Sequence, residues 1–496
     1  MKENNIYVLN PYYHLRNDRY RVSLFSKGGS GKLCSTEWHS LIHPLQAWVL
    51  CLFTYARPLS DNLKIISEKL GASEELAYNW IKGFYENTEP VYVNWQGYRI
   101  YFPKRLLVDA QADTRFLQLS EGNLHANQVD LETQRLYKGP LMITLMLTNR
   151  CVTHCEYCYA DTSHDVVEPL STKRIMQIIN QAERLRVRQV NLIGGEVFLH
   201  RDWQRILAAL VRKRIAPAYL STKMPLDSYI ISRIKQTGFQ GELQISLDAL
   251  DEKILTKTLR VKKGYVKKMI DTLHLLDDSG LRFHVSSVLT KANCNSEVMH
   301  ELWLGLVKLK NLVDWRIVPA SNSINVERKR MDDLKATKKQ VLDLYNVMMP
   351  IFKQSHFPIL FAKDVVIKEY RNTKDARFEG EKCSALKTHL FILPDGKVTI
   401  CEQLYWLPRF IIGDVKINSL RQVWNSDRAE ELSHINQINL SDFSACKRCQ
   451  LFENCFKEEN RCWSDVIKAY GKNHWDYPDP RCKKAPKMTC SLAYSQ

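Results

Sequence analysis

Thr148-Asn149-Arg150-Cys151-Val152-Thr153-His154-Cys155-Glu156-Tyr157-Cys158-Tyr159 sets three cysteines in the pattern C-x3-C-x2-C. Three thiolates are one ligand too few for a closed four-cysteine metal site. On a [4Fe–4S] cube they leave one iron open, and an open iron binds a substrate or cofactor directly. The apolar run just upstream, 141–147, reads as a buried β-strand. The triplet therefore occupies the loop after a strand, where α/β folds place their ligands. The reading this supports is redox chemistry at an iron–sulfur cluster.

The chain around it has 496 residues, enough for about three domains. Hydrophobic residues at 45% and aromatics at 10% are ordinary globular values, so a sizeable core can be buried. No run of apolar residues is long enough to span a membrane, and residues 1–21 are too polar for a signal peptide. These features predict a soluble cytoplasmic protein with no membrane partner. Fourteen cysteines in such a chain argue for metal or redox sites over a disulfide framework. The net charge of +17 suits an anionic partner such as an acidic peptide, a nucleotide or a nucleic acid, without choosing among them.

Residues 1–125 hold no cysteine cluster. Strands are expected at 6–9 and 20–25, and helices at 38–55, 59–70 and 73–86, the last capped by Ser73. The runs 91–95 and 98–102 flank Gln96-Gly97 as a hairpin. Helices followed by a hairpin suggest a winged-helix-like module, which binds DNA or captures a peptide on an exposed strand edge. Residues 138–330 alternate strand and helix. Strands are expected at 141–148, 189–193, 218–221, 242–247, 283–289 and 315–318. Amphipathic helices fall at 171–185, 203–212, 227–236, 264–278 and 296–309. That rhythm predicts a parallel sheet with helices outside, a partial (β/α)6 TIM-like barrel whose missing arc leaves a lateral opening. A bridging segment at 331–374 contains a helix at 338–353, and 375–496 is cysteine-dense and loop-rich. The basic tail 482–496 is expected to be poorly ordered beyond its first residues. Two patterns fail on inspection. The stretch Gly28-Gly29-Ser30-Gly31-Lys32 lacks the flanking residues of a phosphate loop. His39 and His43, expected on one helical face, have no acidic partner between them.

The middle domain resembles the radical S-adenosylmethionine (SAM) enzymes. In that family the C-x3-C-x2-C loop, here Cys151, Cys155 and Cys158, holds a [4Fe–4S] cluster whose open iron is chelated by the amino and carboxylate groups of SAM. Tyr157 corresponds to the aromatic that packs by the adenine. Gly194-Gly195-Glu196, directly after the second strand, matches the motif that meets the SAM amino group. Glycines let the backbone approach a ligand, and a carboxylate pairs with an ammonium. Val197 stands where the family often has proline. Ser246 and Asp248 end the fourth strand, where the family contacts the SAM ribose and methionine part; Arg260 matches an arginine that reaches the carboxylate, and Asn293 ends the fifth strand. Each of these also suits a capping or surface role. Thr222-Lys223-Met224 departs from the family's Thr-Asn-Gly.

The downstream cysteines resemble the SPASM domain, which carries two auxiliary [4Fe–4S] clusters. Cys383, Gly396 and Cys401 fit C-x12-G-x4-C; Cys446, Cys449 and Cys455 give C-x2-C-x5-C, followed by Cys462 and Cys482. The spacing from Cys455 to Cys462 is longer than the family's usual one. The resemblance assigns Cys383, Cys401 and Cys462 to auxiliary cluster I, with Asp375, Glu379 or Glu381 within reach of its open iron. It assigns Cys446, Cys449, Cys455 and Cys482 to auxiliary cluster II. A zinc ion is the competing reading of Cys446-x2-Cys449. Cys34, Cys51, Cys294 and Cys490 fit neither scheme and read as core or incidental thiols. Glu402 follows Cys401 at a place where sulfatase-maturating relatives carry a proposed proton acceptor; the rival reading is a surface glutamate in a turn.

The resemblance implies an enzyme that cleaves SAM to a 5′-deoxyadenosyl radical with an electron from a donor such as ferredoxin or flavodoxin. The auxiliary clusters would then take up the surplus electron, so the product is an oxidative crosslink or thioether. The N-terminal module resembles the leader-recognition element of enzymes that mature ribosomal peptides, which makes a precursor peptide the expected substrate. A sulfatase-type protein maturase and an iron–sulfur redox-sensing DNA-binding regulator are the alternatives, and nucleic acid is the less favoured partner.

Overall fold

The computed structural model describes residues 5–28, 32–85, 87–95, 97–110, 128–368, 370, 383–458 and 461–496. It forms two compact units, Met1–Leu141 and Met142–Gln496. The glycine-rich stretch at 29–31 and the carboxylates Asp375, Glu379 and Glu381 lie outside the described residues.

The first unit contains β1 (Tyr7–Leu9), β2 (Tyr13–Asn17), β3 (Val22–Ser26), β4 (His39–Ile42), β5 (Val91–Trp95), β6 (Tyr98–Phe102) and β7 (Leu107–Asp109). β2, β3 and β4 make an antiparallel sheet, β5 and β6 a hairpin, and β1 pairs with β7. Three helices, Pro44–Leu52, Leu59–Leu70 and Glu74–Ile81, lie between β4 and β5. The expected helix at 38–55 is corrected here. Pro44 has no N–H to give and a φ preset for a first helical turn, so the helix starts there. His43 caps it, accepting from the Leu45 N–H at 3.0 Å, while His39 lies on β4 beside Phe25. The two histidines therefore do not share a helical face. The expected strand at 20–25 begins at Val22, because Asp18–Arg21 is a turn closed by Asp18 N–H to Arg21 O at 2.8 Å. Buried Arg21 pairs with buried Asp18 at 3.1 Å and also donates to the carbonyls of Asp130 and Arg135. These bonds fasten residues 130–135 to the turn between β2 and β3.

The second unit contains β8 (Met142–Met146), β9 (Gln189–Ile193), β10 (Tyr219–Thr222), β11 (Glu242–Ser246), β12 (Phe283–Leu289), β13 (Leu312–Pro319), β14 (Ile359–Phe361), β15 (His389–Ile392), β16 (Lys397–Thr399) and β17 (Ile411–Asp414). β10 to β14 form a five-stranded parallel sheet in sequence order. β8 and β9 are also parallel, and their helices Thr172–Arg184 and Trp203–Arg212 each bury one apolar face, as the 3.6-residue periodicity predicts. The β8 edge, expected to bound a lateral opening, is taken by β15, which pairs with it in parallel from Met142↔His389 to Leu145↔Ile392. The cysteine-rich segment is thus continuous with the α/β sheet. A further helix, Glu252–Leu259, follows β11 and is capped by Asp251.

The C-terminal tail is ordered, contrary to expectation. Leu492 is buried, Tyr494 Oη donates to Ala320 O at 2.8 Å, and Ser491 O and Thr489 O accept from Asn322 and Arg328. Backbone carbonyls and one aromatic ring supply the docking contacts, and a composition-based reading does not register these.

Candidate functional site

The loop after β8 and the loop after β9 are joined backbone to backbone. Gly195 N–H donates to Thr148 O at 2.7 Å and Glu196 N–H to Arg150 O at 2.8 Å. A β-carbon on Gly195 would sit 2.6 Å from Asn149 O and closer still to Arg150 O, and one on Gly194 would sit 2.9 Å from Thr148 O. The glycines are required by close approach of two main chains. The far side of the cysteine loop is fastened to helix Glu252–Leu259: His154 N–H donates to Leu259 O and Glu156 N–H to Thr258 O, both at 2.9 Å.

Within this frame the three thiols converge. Thr153 Oγ1 lies 3.5 Å from Cys151 Sγ and 3.2 Å from Cys155 Sγ, and the Cys151 thiol donates to Gly195 O at 3.2 Å. Burial raises the Cys155 thiol, partly offset by Lys223, and pushes Cys158 up to about 11. Such thiols lose their protons only to a strong positive partner, which iron provides on binding. The donor set fits a three-cysteine cluster: all three cysteines are free and half-buried, on a loop held rigidly from both sides.

The residues around the triplet form one network. Tyr157 Oη donates to Asp248 Oδ2, Lys223 Nζ lies 2.9 Å from Tyr157 Oη and 3.4 Å from Asp248 Oδ2. Burial pulls the Lys223 ammonium down, but Asp248 and Cys155 outweigh it and hold it above its ordinary value. Asp248 is fixed from behind, since its Oδ1 accepts from Val288 N–H at 2.9 Å and its carbonyl from Asn293 Nδ2 at 2.9 Å. Asn293 is therefore a buried brace behind Asp248. The Glu196 carboxylate accepts from Thr222 Oγ1 at 2.8 Å, Lys223 N–H at 3.2 Å and Phe198 N–H at 3.3 Å; burial raises it and these donors offset part of that. It thus anchors the start of the β10 loop that carries Lys223. Ser246 ends β11 opposite Ser286. Arg260, in a left-handed conformation at the end of its helix, pairs with Glu156 at 2.7 Å, and Arg330 binds the same carboxylate.

Lys223 was missed as a site residue because it breaks the family's Thr-Asn-Gly. The signal that could have found it is a long cation placed directly after a barrel strand, facing a cysteine loop.

Downstream, Cys401 shares its surroundings with Cys383 and Cys462, and burial pushes it up to about 12. Cys446, Cys449, Cys455 and Cys482 line a single cavity with Phe452 and Phe456. Among the described residues no three His, Cys, Asp or Glu side chains converge as ligands of one ion do. A cluster does not require that, because its ligands each hold a different iron. Glu402 lies in the turn after Cys401, reached by solvent but enclosed by surrounding chain, and that enclosure raises its carboxyl. Tyr159 has Glu402, Cys158 and Cys401 as electrostatic neighbours, and His164 stacks on Trp406 with ring centroids 4.0 Å apart, so the segments that follow the two cysteine loops lie side by side. Cys34, Cys51 and Cys294 are buried, as expected of core thiols.

The sequence profile of the Radical SAM superfamily matches residues 145–298, and that of SPASM, an iron–sulfur cluster-binding domain, matches residues 383–450. The chain carries a radical SAM domain and a SPASM domain. It therefore binds SAM, a SAM-associated [4Fe–4S] cluster and auxiliary iron–sulfur clusters. Among curated relatives of this radical SAM/SPASM chain is the antilisterial bacteriocin subtilosin biosynthesis protein AlbA of Bacillus subtilis. It is 22% identical over 64% of this chain and 66% of its own length, just under two thirds. The PqqA peptide cyclase of Granulibacter bethesdensis is 23% identical over 70% of this chain and 88% of its own. Among solved structures, Streptococcus suis SuiB bound to the precursor peptide SuiA superposes with a TM-score of 0.63 at 15% identity, covering 95% of this chain and 98% of that one. That likeness is one of fold. No helix among the described residues is long and apolar enough to cross a membrane.

Proposed function

We propose that this protein is a maturase that oxidatively modifies a ribosomally made precursor peptide, forming a crosslink or thioether. The observation that carries the reading is the approach of the segment after Cys158 to the segment after Cys401, where His164 stacks on Trp406 at 4.0 Å and Tyr159 has Glu402 and Cys401 as neighbours. A substrate held there lies between the SAM-binding loop and the first auxiliary group. When bound, SAM and its cluster supply a 5′-deoxyadenosyl radical that removes a substrate hydrogen. The chain's own residues do the rest. Cys151, Cys155 and Cys158 hold the cluster, Gly194 and Gly195 bring backbone against it, and Glu196 anchors the β10 loop. Tyr157, Lys223 and Asp248 present a fixed phenol, ammonium and carboxylate toward the nucleoside and methionine parts of SAM, with Ser246 and Arg260 at the rim. Glu402 would accept a proton from the substrate.

The relatives support a peptide substrate: one is named a peptide cyclase, another a bacteriocin biosynthesis protein, and SuiB was solved with a precursor peptide. The first unit would serve as the winged-helix-like leader-binding module. Among the described residues its β5 pairs only with β6, and Tyr92, Tyr101 and Arg99 cluster on one face of that hairpin. An acidic leader added to this edge would meet aromatic and cationic side chains. Electrons would come from ferredoxin or flavodoxin in the cytoplasm. The test is anaerobic turnover of the reconstituted protein with SAM and the peptide encoded by a neighbouring small reading frame. Mass spectrometry should show loss of a hydrogen pair, dependent on Cys151, Cys155 and Cys158. An unmodified peptide despite SAM cleavage would send the search to a sulfatase-type protein substrate.

A further inference from the structure

Arg461 directly precedes Cys462, a ligand assigned to auxiliary cluster I, yet its side chain lines the cavity of Cys446, Cys449, Cys455 and Cys482. Its Nη2 is pinned by the carbonyls of Trp475, at 3.0 Å, and Tyr477, and its guanidinium carbon lies 4.7 Å from the centre of the Trp463 ring. Its Nε is buried and has no hydrogen-bond partner among the described residues. Buried N–H groups are almost always satisfied, so an orphan on a wall of four thiols marks a missing acceptor. A second cation faces the same cavity: Lys484 Nζ lies 3.5 Å from Cys449 Sγ. Asp479, also on the wall, is already spent on both edges of Arg481, at 2.7 Å each, and on Cys462 N–H at 3.0 Å. Asp476 accepts from Ser441 N–H at 2.6 Å. The uncommitted donor in this cavity is therefore a fixed guanidinium.

We propose that Arg461 sets the reduction potential of auxiliary cluster II by donating its Nε–H to a cluster sulfur and holding a positive charge in the cavity wall. The proposal rests on the assignment of Cys446, Cys449, Cys455 and Cys482 to that cluster. One-electron reduction makes a cluster more negative. A hydrogen bond to sulfur and a nearby cation then favour the reduced form, and both raise the potential. Among phenylalanine side chains the field is little screened. Burial lowers the Arg461 guanidinium, and Cys446, Asp479, Asp476 and Cys455 offset only part of that. Arg461 is thus a tuning residue that need not touch substrate.

The test is an EPR-monitored potentiometric titration of the fully reconstituted protein, with dithionite as reductant. Cys446→Ala should remove one cluster signal; retention of every signal would refute the ligand assignment itself. With that signal identified, Arg461→Gln should move its midpoint to a more negative potential, while the SAM-cluster midpoint stays in place. Arg461→Lys, which keeps the charge and loses the planar N–H, should fall between. An unmoved midpoint in Arg461→Gln with the cluster intact overturns the proposal. Should Arg461→Gln fail to retain iron, Lys484→Gln is the second arm. A smaller negative shift there supports cation tuning, and no shift overturns it.

Discussion

Lys223 Nζ stands 2.9 Å from the Tyr157 hydroxyl, so a residue from the loop after β10 reaches into the cysteine loop after β8. The same ammonium neutralises Asp248, whose side chain is 2% exposed. Removing it leaves a buried carboxylate without its cation, a change that costs about 3–5 kcal/mol in comparable sites. Lys223→Met should lower the melting temperature and weaken SAM binding by about tenfold or more in equilibrium dialysis. Lys223→Arg should retain most of the stability. SAM affinity unchanged in Lys223→Met would remove Lys223 from the ligand's surroundings.

Gly195→Ala should damage the cluster site directly. Its new methyl would lie within 2.6 Å of Asn149 O, and main-chain oxygens fixed by the Gly195 and Glu196 hydrogen bonds have no room to retreat. The cost is about 1–3 kcal/mol of local strain. Iron per chain after reconstitution should drop by about one cluster's complement, with the auxiliary signals kept. A full iron count would show that the two loops are more yielding than their hydrogen bonding indicates.

The cysteine triplet and Gly194-Gly195-Glu196 were legible because each is a local pattern at the end of a strand. The strands 189–193 and 283–289 and the helix 203–212 fall where periodicity placed them. Other features depend on contacts that periodicity does not carry. Helix Glu252–Leu259 carries an Asp251 cap in the sequence, but its role in holding His154 and Glu156 exists only in three dimensions. Lys223 is a mismatch to the family's Thr-Asn-Gly in sequence, and only the fold sets it beside Tyr157 and Asp248. The pairing of β15 with β8 joins His389 to Met142 across the whole barrel sequence, and no local signal announces it.

That joint should be acid-sensitive. His389 on β15 shares a hydrogen bond with Thr144 Oγ1 on β8 at 2.8 Å, and burial depresses its imidazole to about 4. An unfolded histidine titrates near 6.5. The neutral ring is the one the fold accepts, so its contribution is complete above about pH 6.5 and is lost as pH falls towards 4, up to about 3 kcal/mol. The melting temperature should therefore drop more between pH 7 and pH 5 in the wild type than in His389→Gln, with both proteins carrying the same clusters. Parallel acid limbs would assign the sensitivity elsewhere.

Substitution of Glu402 should separate radical generation from product formation. Its carboxyl lies in the turn after Cys401, is raised by enclosure, and acts on Tyr159 alongside Cys158. Gln keeps its size and removes its basicity. Glu402→Gln should thus retain SAM cleavage, measured as 5′-deoxyadenosine, while modified peptide falls by about a hundredfold or more, the usual contribution of a positioned base. Deuterium from a labelled substrate should still enter 5′-deoxyadenosine, because hydrogen removal precedes the proton transfer assigned to this residue. Product formed at the wild-type rate would make Glu402 a surface residue of the turn and leave the base to be found elsewhere around Tyr159.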